Sequence, residues 1–198
     1  MKKLIYSFLP AIVLLALAGT PAFAQGKTAT IDLRKVFDNY WKTKEADAAL
    51  KERAAEMDKQ YKTLTEDWTK SRDEYQKLVA TANDQAVSAE ERAKRKKLAD
   101  AKMNELKEGE QTIEGFRRQA TATLDEKKRQ MRDKILGEIR NAINTKAKAA
   151  GFSIVFDSAA DSANATPVLI YNNGDNDITD EILAQLNATA PVSLPKAK

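Results

Sequence analysis

The pattern of apolar and polar positions divides the chain into a long polar middle and short apolar segments on either side of it. Residues 28–33, 152–157 and 168–171 are short apolar runs of the kind that form β-strands. No proline occurs between residues 22 and 166, which is typical of long helices. Because a helical segment that leaves a sheet and returns to it must fold back on itself, we expect a helical hairpin that projects from a small β body.

Residues 43–150, which we call the arm, show the narrow apolar seam of a coiled coil. Of these 108 residues, 46 are charged and only 14 are Leu, Ile, Val or Phe, too few for the broad apolar face of a globular helical domain. A two-stranded coiled coil needs only a seam whose spacing alternates between three and four residues. The seam predicted for the first helix is Leu50, Ala54, Met57, Tyr61, Leu64, Trp68, Ser71, Tyr75 and Leu78. The seam predicted for the second helix is Leu98, Met103, Leu106, Ile113, Phe116, Ala120, Leu124, Met131, Ile135, Ile139 and Ile143.

Local signals predict where the two helices of the arm begin and end. Residues 80–87 lack periodicity and predict the turn of the hairpin, and Ser88 and Glu91 have the spacing of a capping box. Gly151 stands where a helix commonly ends in a left-handed residue. Gly109 and Gly115 lower helix propensity by up to about 1 kcal/mol each, so we expect the flexible part of the arm around them.

The β body comprises residues 25–42 and 151–187, and residues 188–198 are predicted to be a disordered tail. A body of roughly 60 residues is marginally stable because it buries little surface. Its three short strands also leave open edges, which proteins normally cover or pair. Both problems are solved if several bodies combine, so we expect an obligate homo-oligomer. The residues expected in the oligomer core are Ile31, Leu33, Val36, Phe37, Ile154, Phe156, Val168 and Ile170.

The first 24 residues have the three parts of a secretory signal peptide. Lys2 and Lys3 are the basic region, residues 4–18 the apolar region, and residues 22–24 a small-x-small cleavage site, so cleavage is expected after Ala24. The apolar run is shorter than the ~20 residues of a membrane-spanning helix. We therefore expect an exported protein of the periplasm.

Charge is distributed unevenly between arm and body. The arm has 25 basic and 21 acidic residues, whereas residues 151–187 have six acidic residues and no basic ones. A charge-dependent partner would therefore meet the arm. The basic clusters can be either an ordinary solvated face or an electropositive surface for clients or lipids. Their members are Lys94, Arg95, Lys96, Lys97, Arg117, Arg118, Lys127, Lys128 and Arg129.

Several kinds of chemistry find no support in the residues. The chain has no histidine and no cysteine, which removes the commonest acid–base group, thiol nucleophiles and typical zinc sites. No glycine-rich phosphate loop is present, and the arm carboxylates alternate with Lys and Arg at the spacing of helical ion pairs. We expect no enzyme activity, no metal and no cofactor, and the export signal argues against a physiological nucleic-acid partner.

The chain resembles the Skp/OmpH family of periplasmic chaperones. The resemblance rests on the signal peptide, the charged hairpin, and the sequences of residues 29–37, 151–157 and 177–183, which read ATIDLRKVF, GFSIVFD and DITDEIL. It implies an α+β, mostly α homotrimer, in which strands form a β-barrel-like core and three hairpins hang as tentacles around a cavity. It also implies an ATP-independent holdase for unfolded outer-membrane proteins that can bind lipopolysaccharide or anionic lipid. Residues 158–166 are longer and richer in Ala and Ser than in the better-known members.

Two other functions stay open at this point. The coiled coil could act as a structural spacer or adaptor in the cell envelope, although the thin second seam with Gly109 and Gly115 disfavours a stiff spacer. The basic clusters alone would also suit a peripheral binder of anionic lipid or lipopolysaccharide. A holdase accounts for more of the chain, because flexible arms around a cavity can hold many sequences through many weak contacts.

Overall fold

The computed structural model describes residues 26–191, so the predicted signal peptide and residues 192–198 of the predicted tail lie outside it. Its elements are β1 (Lys27–Ile31), α1 (Leu33–Asn39), α2 (Trp41–Ala82), α3 (Ala89–Ala150), β2 (Phe152–Asp157) and α4 (Thr179–Asn187). The chain is mostly helical, with one small sheet and two long helices. This confirms the predicted α+β, mostly α class.

The sheet joins the two ends of the arm. Strands β1 and β2 are parallel, and their register pairs Thr30 with Phe156. On the other side of β1, the amide of Thr30 donates to the carbonyl of Asn176 at 3.1 Å, and the amide of Ile178 donates to the carbonyl of Thr30 at 2.9 Å. β1 is therefore the central strand, paired along both edges.

The predicted third strand, residues 168–171, is wrong for the single chain. The preceding residues form a tight loop in which the amide of Val168 donates to the carbonyl of Ala160 at 2.8 Å. Arg34 anchors this loop by donating to the carbonyl of Ala159 at 3.3 Å. The apolar side chains of Ile170 and Tyr171 are each 80% exposed. A strand needs a neighbouring edge, and within residues 26–191 both edges of β1 are already taken.

The core lies where the sheet meets α1, α3 and α4. Val36 of α1, Ile139 of α3 and Ile182 of α4 are fully buried and converge there. The complete set of buried core residues is Ala29, Ile31, Val36, Tyr40, Ile135, Ile139, Ile178 and Ile182. Since α3 contributes two of them, the second helix of the arm also forms one wall of the body.

The ends of the long helices follow the local signals. The hydroxyl of Ser88 accepts a hydrogen bond from the amide of Glu91 at 3.2 Å, and Gly151 ends α3 with a φ of 71°. Both features confirm the predicted caps. The first long helix, α2, begins at Trp41, because Tyr40 has an extended ψ of 130° that separates it from α1.

The two long helices of the arm pack along the narrow seam. Met57 on α2 and Leu106 on α3 are buried, and most of the other predicted seam residues are half-buried. Leu98 is an error in that prediction, because its side chain is 51% exposed and the neighbouring Ala99 is buried instead. The reason is spacing: Ala99, Met103 and Leu106 are separated by four and three residues, whereas Leu98 is five residues from Met103.

Trp68 and Gly109 form the tightest described contact between the two helices of the arm. The indole Nε1 of Trp68 donates to the carbonyl of Leu106 at 3.0 Å. A Cβ on Gly109 would lie 3.0 Å from Cδ1 of Trp68, closer than side chains normally approach. The guanidinium of Arg72 covers the indole ring at 5.7 Å from its centre. Gly109, which the sequence marks as a weak point, therefore makes room for the indole.

Replacing each glycine of α3 with Ala separates these two roles. Ala raises helix propensity by about 1 kcal/mol relative to Gly. At Gly115 a Cβ would meet nothing within 4 Å, so we expect Gly115→Ala to raise the free energy of unfolding by about 1 kcal/mol. At Gly109 the contact with Trp68 opposes the gain, so Gly109→Ala should stabilise less or destabilise. Thermal unfolding followed by circular dichroism measures both, and an equal gain at both sites would contradict the contact.

Candidate functional site

The body exposes an unusual share of the chain's large apolar side chains. Seven such side chains are exposed within residues 26–191, and five of them lie in the body. Ile154 and Phe156 are 51% and 45% exposed, and they alternate along β2, so they share the face of the sheet that points away from the core. Together with Val168, Ile170 and Tyr171 they form what we call the exposed apolar set. Apolar groups concentrated in this way mark a surface that another molecule covers.

The eight residues predicted for an oligomer core fall into two groups. Ile31 and Val36 are buried in the core of the single chain, and Leu33 and Phe37 are half-buried against it. The remaining four residues, Ile154, Phe156, Val168 and Ile170, are exposed. The first group stabilises the chain itself, and only the second offers apolar area to another chain.

Ion pairs neutralise much of the acidic charge of the body. Sequence alone assigns six acidic and no basic residues to positions 151–187. In the structure, cations from α1 and α3 reach three of these carboxylates. The pairs are Arg34–Asp161, Lys35–Asp180 and Lys146–Glu181. The contrast between a basic arm and an acidic body is therefore weaker in space than along the chain.

The basic cluster beside the turn of the arm divides into structural and exposed members. The guanidinium of Arg95 donates to the carboxylate of Glu91 at 3.0 Å and to the carbonyl of Thr81 at 3.4 Å. It thereby ties the start of α3 to the end of α2. Lys94, Lys96 and Lys97 are exposed and form no ion pair within the described part of the chain. These three lysines, which we call the tip lysines, are the available charge.

The other predicted basic residues lie farther along α3. Arg117 and Arg129 pair with carboxylates three residues earlier, at 3.2 Å and 2.6 Å, and Arg118 lies 3.9 Å from the carboxylate of Glu114. Lys127 and Lys128 are exposed. Because exposed pairs of this kind are worth less than about 1 kcal/mol, they cost a partner little to break.

A polar cluster at the root of the arm is absent from the sequence predictions. The hydroxyl of Tyr40 and the ammonium of Lys42 both donate to Oε2 of Glu138, at 2.8 Å and 2.7 Å. Partial burial alone would favour the neutral form of Glu138, but these hydrogen bonds outweigh it and hold the pKa of Glu138 below its usual value. Only the folded structure reveals the cluster, since 98 residues separate Tyr40 from Glu138.

The described residues offer little to an enzyme. Between residues 26 and 191, no group of three or more Asp, Glu, His or Cys side chains is arranged to hold a metal ion. No helix in that range is both long and apolar enough to cross a membrane. What the arrangement can do is bind, through apolar area on the body and charge on the arm.

Comparison with known proteins agrees with this arrangement. The model of the family described as outer membrane protein (OmpH-like) matches residues 27–186, which include both strands, the whole arm and almost all of α4. No curated protein sequence matches the chain significantly. Since the family model covers most of the chain, this protein belongs to the OmpH-like family.

Proposed function

We propose that this protein is an ATP-independent holdase of the periplasm that keeps unfolded outer-membrane proteins soluble. The OmpH-like family is a family of periplasmic chaperones associated with outer-membrane proteins. The observation that carries the proposal is the arm, in which helices of 42 and 62 residues pack through a thin seam and leave a long polar surface. No concave site for a small substrate is needed for such a task.

The holdase acts as a homotrimer in this proposal. The exposed apolar set on the body supports it, because β2 and residues 168–171 supply apolar side chains that the single chain leaves in water. Pairing between bodies would also cover the free edge of β2, and residues 168–171 would gain the neighbour that a strand requires. Three arms would then surround a common space beside the shared body.

Enclosure suits the client. A strand of an outer-membrane barrel alternates apolar and polar residues, so no continuous greasy groove is required to hold it. Many weak contacts with several arms add up through their high effective concentration. The polar arm surface therefore supports the holdase proposal better than a classical hydrophobic pocket would.

The direct test is suppression of aggregation. The purified protein should keep an unfolded outer-membrane barrel protein soluble at a stoichiometric ratio of trimer to client, measured by light scattering after dilution from denaturant. Suppression should be the same with and without ATP, because no phosphate-binding loop occurs in the sequence. Aggregation at the rate of the client alone would refute the holdase proposal.

Substitutions of two equally exposed apolar residues test the oligomer. Ile154 on β2 and Leu98 on α3 are both 51% exposed in the single chain. If bodies pack through the exposed apolar set, Ile154→Asp buries an unpaired charge and should dissociate the trimer, whereas Leu98→Asp should leave it intact. Light scattering coupled to size-exclusion chromatography gives the mass of each variant. A trimer that persists in Ile154→Asp, or a stable unmodified monomer, would exclude this interface.

The tip lysines are proposed to steer acidic clients and anionic lipid headgroups to the arm. Long-range attraction raises association rates, and it is screened within about 8 Å at physiological salt. The exposure of Lys94, Lys96 and Lys97 supports this role, whereas Arg95 is engaged in the turn and should be kept in any test.

Neutralising the tip lysines should slow client capture. We expect Lys94→Gln, Lys96→Gln and Lys97→Gln together to lower the association rate for an unfolded barrel protein and to flatten its salt dependence. The matched control is Lys51→Gln, Lys59→Gln and Lys62→Gln, three exposed lysines of α2 that make the same change in net charge. Stopped-flow fluorescence across a salt series measures both. Equal rates for the two triple variants would reduce the cluster to an ordinary solvated face.

A further inference from the structure

The root of the arm contains a break in the helical backbone. The carbonyl of Val36 accepts from the amide of Tyr40 at 3.0 Å and ends α1, and the carbonyl of Tyr40 accepts from the amide of Thr43 at 3.0 Å and begins α2. Tyr40 itself is extended, with a ψ of 130°. The direction of α2 relative to the body therefore depends on the dihedral angles of this residue and on what holds it.

Two separate elements hold this break from opposite ends of the chain. From α3, the carboxylate of Glu138 accepts from the hydroxyl of Tyr40 and the ammonium of Lys42. From the last position of α4, Oδ1 of Asn187 accepts from the amide of Trp41 at 2.9 Å, and its Nδ2 donates to the carbonyl of Asn39 at 3.2 Å. The Asn187 side chain thus satisfies a free amide at the start of α2 and a free carbonyl at the end of α1.

The packing next to the break leaves room for movement. A cavity of about 320 Å³ opens between α2 and α3 at this level, where α2 presents Ala46 and Ala49 to Met131 and Ile135 of α3. Small side chains facing an open space provide few contacts to hold two helices in one arrangement. The same cavity is bordered by Lys42 and Glu138, so the polar contacts close the place where apolar packing is weakest.

We infer that Tyr40, Lys42, Glu138 and Asn187 form a joint that sets the direction of the arm relative to the body. The four residues are positioning residues: they contact the break in the backbone and not a client. The joint holds one arm direction through hydrogen bonds, and the cavity beside it permits others when those bonds open. In a trimer this direction determines how wide the space between the arms is, and that consequence rests on the proposed holdase function.

The role of the joint can be measured without any client. The chain contains no cysteine, so spin labels attached at Gln185→Cys on α4 and Asp58→Cys on α2 report one distance across the joint. Labelled chains are diluted with unlabelled chains, so that only distances within a chain contribute. Tyr40→Phe keeps the buried ring and removes one hydrogen bond to a charged acceptor, which should raise the population of other arm directions by roughly tenfold. The distance distribution should broaden, and Glu138→Gln and Asn187→Ala should broaden it as well.

The control variant is Tyr61→Phe. It makes the same chemical change on the same helix, where the hydroxyl forms no hydrogen bond within the described residues, so the distribution should stay as narrow as in the unmodified chain. Lys42→Arg, which keeps a cation beside Glu138, should restore most of the narrow distribution relative to Lys42→Ala. A distribution that is unchanged in Tyr40→Phe, Glu138→Gln and Asn187→Ala at temperatures where these variants are folded would overturn the joint.

Acid should open the joint as the Glu138 substitution does. Because the pKa of Glu138 is lowered in the folded chain from its usual 4.5, its stabilising effect is complete above that value and is lost as the pH falls through the lowered pKa. Tyr40 and Lys42 from the break, Lys134 on α3 and Glu45 across the cavity are the titratable groups that surround it. The unmodified distribution should broaden in acid toward that of Glu138→Gln, whose own width should change less. Equal broadening of both proteins in acid would assign the effect to other groups.

The client readout separates this inference from the proposed function. If the joint sets the opening between arms, Tyr40→Phe should change the ratio between the holding of large and small barrel proteins, while Tyr61→Phe should not. If neither the unmodified protein nor the variants hold any client, the holdase proposal fails, but the distance measurements still decide whether the joint exists. An altered distribution with an unchanged size ratio would refute the link between arm direction and client size.

Discussion

The parallel pairing of β1 with β2 is the constraint on which the rest of the structure depends. The two strands are separated by the entire arm, so the chain must return to the place it left and must enter the sheet in the same direction. A parallel pair requires a crossover connection, and here that crossover is the hairpin of α2 and α3. To reach the start of β2, α3 must descend past the whole sheet. A five-residue strand spans about 17 Å, which a helix covers in about eleven residues. This explains why α3 has 62 residues and α2 only 42, and why the last turns of α3 lie in the core of the body.

The same constraint determines which surfaces are left over. β1 is paired on both sides, so the free edge of the sheet belongs to β2, and the face away from the helices carries Ile154 and Phe156. The helices α1, α3 and α4 cover one face of the sheet and cannot reach the other. A small body built in this way has apolar area that its own chain cannot cover, and further copies of the chain are the simplest source of cover.

Features that depend on neighbours in sequence were predictable, and those that depend on distant partners were not. The Ser88 cap, the Gly151 terminus and the heptad seam rest on spacings of a few residues, and the structure contains them. Residues 168–171 have the composition of a strand, but composition cannot supply the edge that a strand needs. Gly109 illustrates the limit most clearly: its low helix propensity indicates weakness, and only the position of Trp68, 41 residues earlier, shows that a larger residue would not fit. Likewise, nothing near Glu138 in sequence indicates that it meets Tyr40.

The division of labour along the arm follows from where packing is strong and where it is replaced by polar contacts. Midway along the arm, the indole of Trp68 against Gly109 fixes the register of the two helices, so the arm behaves as one unit there. At the root, alanines and a cavity replace large apolar side chains, and hydrogen bonds to Glu138 and Asn187 take over. Hydrogen bonds can open and re-form without the loss of contact area that separating a packed core requires. An arm that is rigid along its length but adjustable at its root can enclose objects of different size, and a uniformly packed coiled coil could not.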